Sequence, residues 1–331
     1  SFTRDDFTMA TIGFSQTFPN LAKRHARAAR AAADIGIAEA GELVEGRNVR
    51  LETALAWVDL YYGERRLRQL DLLDASLDDL QKTVTARLAS GSARPSQALE
   101  PDQLRAAIAD RRAEMAAVVA QARARLARYT GDPDPQATGD PPMLDVDPIR
   151  LRAGIDALPA LRAQDARIAV AEADVRLARA DKRPDWKVGV TYGRRDPMYG
   201  DMASVGVSID LPLFAGKRQN PRIAASESLA QGGRFDREAI RRELVAQLDA
   251  DLADHAMHLS RLRNARETLV PLARHRAELD RDSYGAGKLD LGAALLTTLG
   301  LAEAEVEALN READVARDAV RITITYGEER P

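Results

Sequence analysis

Apolar and polar residues alternate in two short stretches of the chain. Trp186, Val188, Val190 and Tyr192 are separated by Lys187, Gly189 and Thr191; Ala203, Val205, Val207, Ile209 and Leu211 are separated by Ser204, Gly206, Ser208 and Asp210. A period of two gives a strand with one apolar and one polar face, so the pattern predicts strands over 186–194 and 202–211. Pro212 stops the second, because proline brings no N–H to a ladder. Phe7 to Phe18 reads as a third strand, 7–18, with imperfect alternation that changes phase near Thr11 and stops at Pro19.

Elsewhere the period lengthens to steps of three and four. Leu51, Leu55, Val58 and Tyr62, then Leu73, Leu77, Leu80, Val84 and Leu88, fall on one stripe of a helix predicted over 21–89. At 1.5 Å per residue this is a rod on the order of 100 Å. Gly36, Gly41, Gly46 and Gly63 leave a kink or break open as an alternative. A turn at 89–95 leads to a return helix, 102–129, and then to a Gly-, Asp- and Pro-rich linker, 130–148. A helix over 149–182 precedes the paired strands. A second long helix, 221–284, carries Leu244, Leu248, Leu252, His255, Leu259, Leu262, Leu269 and Leu279, and breaks at Gly285-Ala-Gly287. The last helix, 291–322, places Leu295, Leu299, Ala302, Val306, Leu309, Ala313, Ala316 and Val320 at alternating fours and threes, a seam for coiled-coil packing.

These elements repeat. Thr17-Phe-Pro-Asn-Leu-Ala-Lys-Arg24 and Asp210-Leu-Pro-Leu-Phe-Ala-Gly-Lys-Arg218 are two versions of one strand–proline–helix junction, offset by 193 residues at Pro19 and Pro212. The glycine turns at Gly91 and Gly287 keep nearly the same offset. The expected organisation is a first repeat, 1–148, and a second, 149–331, each with a strand, a proline, a long helix, a glycine turn and a return helix. The fold class is mainly α with a small β portion, built on long antiparallel coiled-coil hairpins.

Composition narrows the chemistry. Charged residues make up 30% of the chain but leave a net charge of only -3, against the basic excess of a nucleic-acid surface. The absence of cysteine removes thiol catalysis, disulfides and thiolate metal sites. No stretch approaches 18 uncharged apolar residues, so no transmembrane helix is expected. Gly-x-Ser-x-Gly, His-Glu-x-x-His and a phosphate loop are all missing, so no enzyme and no cofactor are expected.

Arg183-Pro-Asp-Trp186 at the start of a strand, Gly206-Val-Ser-Ile-Asp-Leu-Pro-Leu-Phe214, Ala224-Ala-Ser-Glu227, Tyr284-Gly-Ala-Gly-Lys288, and Gln16 before Phe18-Pro19 carry a family likeness. The chain resembles the TolC-like outer membrane efflux factors over nearly its whole length, and within them the heavy-metal cation branch (the CzcC and CusC type). The resemblance implies a homotrimer in the outer membrane of a Gram-negative bacterium. Strands of three subunits would close one β-barrel, and the helices would build a periplasmic α-barrel. It also implies a periplasmic adaptor and an inner-membrane RND-type pump as partners, and a passive duct for heavy-metal cations or drugs. Only helices and closed barrels satisfy their backbone in lipid, which suits the strand pattern. The family has two strand hairpins per subunit and this chain shows three strand candidates. A fragment or cleaved form, lacking the first helices and first strand, is therefore expected, with an open edge beside Phe7–Phe18. The competing expectation is a soluble periplasmic coiled-coil adaptor or scaffold, which would show one hairpin flanked by β-rich segments.

By that resemblance, Gly91, Ser92, Gly285, Gly287 and Lys288 become the hairpin tips that dock an adaptor; the plain alternative is glycines ending helices. Pro19 and Pro212 mark the barrel-to-helix junctions. Family members carry carboxylates near Ala293 and Leu296; here Asp290 is nearest and takes the aperture role, although the helix-start pattern favours a simple N-cap. Asp251, Asp254, His255 and His258 share a helix face that suits a divalent ion, but His255 also lies on the apolar stripe and a conduit gains nothing from tight binding, so ordinary helix surface is the favoured reading. Met198 and Met202 are thioethers flanking a loop, favoured as packing. Trp186, Tyr192 and Tyr199 are a thin set of interfacial aromatics. Lys23-Arg24 and Lys217-Arg218 would either meet lipid headgroups or stay solvated.

Overall fold

The computed structural model describes residues 9–91, 94–142, 144–195 and 200–327. Among these residues, three strands and seven α-helices follow in the order β1 (Ala10–Phe18), α1 (Leu21–Ala89), α2 (Glu100–Thr130), α3 (Pro148–Gly154), α4 (Pro159–Ala180), β2 (Asp185–Arg194), β3 (Met202–Asp210), α5 (Gln219–Asn264), α6 (Val270–Gly285) and α7 (Leu291–Tyr326). Short 3₁₀ turns at Pro95–Leu99 and Ile155–Ala157 and a π turn at Ala265–Leu269 connect some of them. Phe7 and Thr8, expected in the first strand, lie outside the described residues.

Two elements differ from the periodicity, while the helix expected over 21–89 is present at those bounds. Helix α1 runs through its glycines without a break. The helix expected over 149–182 is instead α3, a 3₁₀ turn and α4, because Leu158 is held extended ahead of Pro159, whose ring disfavours a helical residue before it. The helix expected over 221–284 is interrupted by the π turn, just ahead of Pro271, which cannot donate the i→i−4 bond that a regular α-helix needs.

The chain divides into two compact units, Ser1–Val44 with Asp156–Glu243, and Glu45–Ile155 with Leu244–Pro331. In the first, β1, β2 and β3 form an antiparallel sheet in that order. Helix α4 runs antiparallel to α5 along the pairs Arg179–Glu227, Arg234–Glu172 and Arg237–Asp165. Its other side meets α1, where Arg30 pairs with Asp174. Many buried positions here are alanines: Ala26, Ala40, Ala173, Ala180 and Ala230. Small residues let helix axes approach closely.

In the second unit α1 and α2 run antiparallel, with Arg112 on Asp71 and Arg123 on Glu64. At Gly63 the two helices are close, since a Cβ there would stand 3.1 Å from Val119 Cγ2. Helices α6 and α7 form a second antiparallel pair, linked by Arg274–Glu305. Leu73, Leu77, Leu80, Val84, Ile108, Tyr284, Leu291 and Leu295 share one apolar core. The exposed ion pairs contribute little individually, about 0–1 kcal/mol, so this core and the narrow helix seams carry the stability.

Candidate functional site

The sheet separates two chemistries completely enough to be the first candidate. Residues opposite each other in an antiparallel pair share a face. The register places Phe18, Trp186 and Ile209 in one row, Gln16, Val188 and Val207 in the next, then Phe14, Val190 and Val205, then Ile12, Tyr192 and Ala203. Gln16 alone is polar among these twelve. Phe14 and Val205 are 72% and 73% exposed. The other face carries Thr17, Lys187 and Ser208, then Ser15, Gly189 and Gly206, then Gly13, Thr191 and Ser204; all of these but Thr17 line a concavity of about 490 Å³, which Phe14, Val205 and Val207 also border. The apolar face carries aromatics at both ends: Phe18 and Trp186 beside the helices, and Tyr192, which bonds Asp201, near the β2–β3 loop. Tyr199 and Met198 lie outside the described residues; Met202 is the first residue of β3.

All three strands meet helices at the same end of the sheet, and the two proline junctions stand there. At the first, Pro19 follows β1 directly. Asn20 caps α1, accepting from Lys23 N through Oδ1 at 3.0 Å. Its Nδ2 and backbone N both donate to Asp185 Oδ1 at 2.9 Å. Lys23 Nζ donates to Asp185 Oδ2 at 2.6 Å and pairs with Asp181 at 3.0 Å. Burial works against the charged Lys23 ammonium, but its bonds to Asp185 and Asp181 outweigh that and raise its pKa. Four side chains thus tie β1–α1 to α4–β2. The sequence marked Lys23, and Asp185 only as part of the Arg183–Trp186 motif; Asp181 was not singled out.

The second junction is built differently. Pro212 is followed by an open turn, Leu213–Arg218, in which Leu213 N bonds Leu211 O at 2.9 Å and Lys217 N bonds Phe214 O at 2.9 Å. Phe214 holds φ at 59°.

The helix-hairpin ends are the third candidate. Gly91 and Gly287 adopt φ of 71° and 75°, as αL helix ends require. Arg87 lies 4.7 Å over the buried Tyr284 ring and donates to Tyr284 O at 3.0 Å. A Cβ on Gly287 would come within 3.1 Å of Arg87 Nη2. Gly285, Lys288 and Asp290 are exposed nearby; Ser92 lies outside the described residues. Asp290 caps α7, accepting from Gly292 N at 3.3 Å, and its Oδ1 accepts from Gln97 at 2.6 Å. Glu100 has its Oε2 buried with no hydrogen-bond partner among the described residues. Burial first, then the neighbouring Asp290 charge, pushes the Glu100 carboxyl up.

The helix-face group resolves into something else. Asp254 is exposed and stands apart. His258 Nδ1 lies 2.6 Å from Asp318 Oδ2 on α7, and His255 Nδ1 lies 3.9 Å from the same oxygen. Asp251 accepts instead from Tyr326 at 2.9 Å. Asp318 is 7% exposed. Burial alone would raise its pKa, and the two imidazoles reverse that and lower it. Among the described residues no set of three or more His, Cys, Asp or Glu is placed to hold a metal ion. No described helix is long and apolar enough to cross a membrane.

Residues 156–328 match the outer membrane efflux protein family. Among solved structures, the outer-membrane channel OprN aligns with a TM-score of 0.77 at 18% identity, over 96% of this chain and 81% of that one. The outer membrane protein VceC from Vibrio cholerae aligns at 0.78 and 16%, over 96% and 79%. CusC, a transmembrane channel former, aligns at 0.72 and 15%, over 97% and 83%. No curated protein matches the chain by sequence. Identities this low establish a shared fold, that of the TolC-like channels, and CusC does not stand out from the others.

Proposed function

The chain belongs to the outer membrane efflux protein family, whose members are channels and not enzymes, and from that premise we propose that it is the outer-membrane duct of a tripartite pump for heavy-metal cations. The protein is an outer membrane efflux channel with a TolC-like helical periplasmic part. The two-faced sheet supports the way it crosses the membrane. Its strands of nine and ten residues fit the roughly 9–11 that a tilted transmembrane strand needs. Three copies would turn the Phe14–Val190–Val205 face to lipid and the Ser15–Gly189–Gly206 face to a water-filled lumen.

The finer assignments extend that reading. The repeated hairpins, 1–148 and 149–331, would supply the periplasmic tunnel. Their tips at Gly91, Ser92, Gly285, Gly287 and Lys288 would receive an adaptor, and an RND-type inner-membrane pump would supply the energy. Asp290, exposed beside the half-buried Glu100, would set the negative charge of the periplasmic aperture, while also capping α7. The metal preference rests on the motifs quoted above, and the duct itself would hold ions only loosely. Planar-bilayer recording on the purified chain tests the conduit: discrete conductance steps are expected, and Asp290→Asn should lower cation over anion selectivity. A bilayer that stays silent at all protein concentrations contradicts the reading.

A further inference from the structure

We infer that the Leu213–Arg218 turn is a lipid anchor that seats anionic phospholipid headgroups at the helix-side rim of the sheet. The inference rests on the reading of the apolar sheet face as the one that meets lipid.

The apolar stripe of β3 does not stop where its ladder stops. Val205, Val207 and Ile209 are followed, in the same alternation, by Leu211 and Leu213 on the far side of the last paired residue, Asp210. Leu211 and Leu213 are 64% and 63% exposed, and Phe214 is 78% exposed. Phe214 also sits in the left-handed region, which is costly for a bulky residue. No described residue of this unit covers these side chains. Asp210, the acid that precedes the turn in sequence, is aligned with Asp185 on the opposite face of the sheet.

Two bases follow at once. Lys217 and Arg218 are exposed and form no ion pair among the described residues. The counterpart base at the first junction, Lys23, is taken up by Asp181 and Asp185. The second junction therefore presents large apolar groups continuous with the lipid face, rimmed by two unneutralised cations, where strands give way to helices. Apolar groups that enter an interface beside bases that meet phosphates are how a surface binds an anionic leaflet. A second copy of this chain would need to offer carboxylates to the same two bases.

The test uses the full chain reconstituted into vesicles of phosphatidylcholine alone and of phosphatidylcholine with phosphatidylglycerol, followed by native mass spectrometry of the lipids retained. Wild type is expected to keep phosphatidylglycerol preferentially. Lys217→Gln with Arg218→Gln should reduce that preference by roughly five-fold per base, on the order of 1 kcal/mol each. Arg242→Gln on α5 should leave it unchanged. Leu213→Ser with Phe214→Ser should weaken retention of both lipids. Equal retention of the two lipids by wild type, or an undiminished preference in the Lys217/Arg218 variant, overturns the inference while leaving the channel reading intact. Loss of the oligomer with the lipid preference unchanged also overturns it, and assigns the face to a neighbouring copy. A chain that enters neither vesicle sinks the channel reading and the anchor together.

Discussion

The junctions after β1 and after β3 begin from nearly the same peptide and end as different devices. Both have an apolar residue before proline and a Lys-Arg pair four to six residues after it. At the first, Asn20 and Lys23 close on Asp185 and Asp181, carboxylates supplied by the α4–β2 connection more than 150 residues away in sequence. At the second no such carboxylate arrives among the described residues, and Leu213, Phe214, Lys217 and Arg218 are exposed. A repeated motif sets a strand-to-helix turn in both places. What the turn then does depends on what the rest of the fold brings to it.

Removing the same charge from both junctions should separate them most. Lys23→Met leaves Asp185 half-buried beside a lost partner and should destabilise by roughly 1–3 kcal/mol, between the surface and fully buried limits. Lys217→Met should change stability by no more than about 0.5 kcal/mol. Urea unfolding in detergent, followed by tryptophan fluorescence, measures both, and equal effects would erase the distinction.

The two glycine turns extend the comparison to the second unit. Gly91→Ala should cost roughly 1–2 kcal/mol for the left-handed backbone alone. Gly287→Ala should cost measurably more, because its methyl also meets Arg87 and disturbs the Arg87–Tyr284 contact. The same unfolding curves decide it, and the tighter turn should also lose more adaptor binding in a pull-down.

The smallest effect is a pH arm. The folded pKa of Lys23 is raised, so its contribution is complete below the ordinary lysine pKa of about 10.4 and is lost as pH rises through the folded value. Wild type should therefore lose slightly more stability in strong alkali than Lys23→Met does. Identical alkaline curves would show that the clasp contributes nothing through Lys23.

What could be seen in the sequence was whatever is local. Alternation over 186–194 and 202–211 placed β2 and β3 to within a residue, because a strand with two solvents on its faces must alternate. Pro159 and Pro271 announced breaks that the apolar stripes concealed, and reading the prolines before the leucines would have located both. The helix-face group failed for a different reason. Spacing placed His255 and His258 on one face, but Asp318, which occupies them, lies 60 residues beyond His258 on another helix. The partners of Asp185 and of Arg87 were hidden in the same way. Periodicity reports which side of an element is apolar and is silent on which charge arrives there from elsewhere.

The absence of native cysteine allows the central claim, one sheet face to lipid and one to water, to be measured residue by residue. Each position from Ala203 to Ile209 would be replaced singly by cysteine and spin-labelled in the membrane-reconstituted chain. Relaxation by oxygen, which concentrates in lipid, and by a water-soluble nickel chelate would then be compared. Oxygen accessibility should peak at 203, 205, 207 and 209 and nickel accessibility at 204, 206 and 208. Seven positions with equal access to both reagents, or with the two peaks exchanged, would contradict the account.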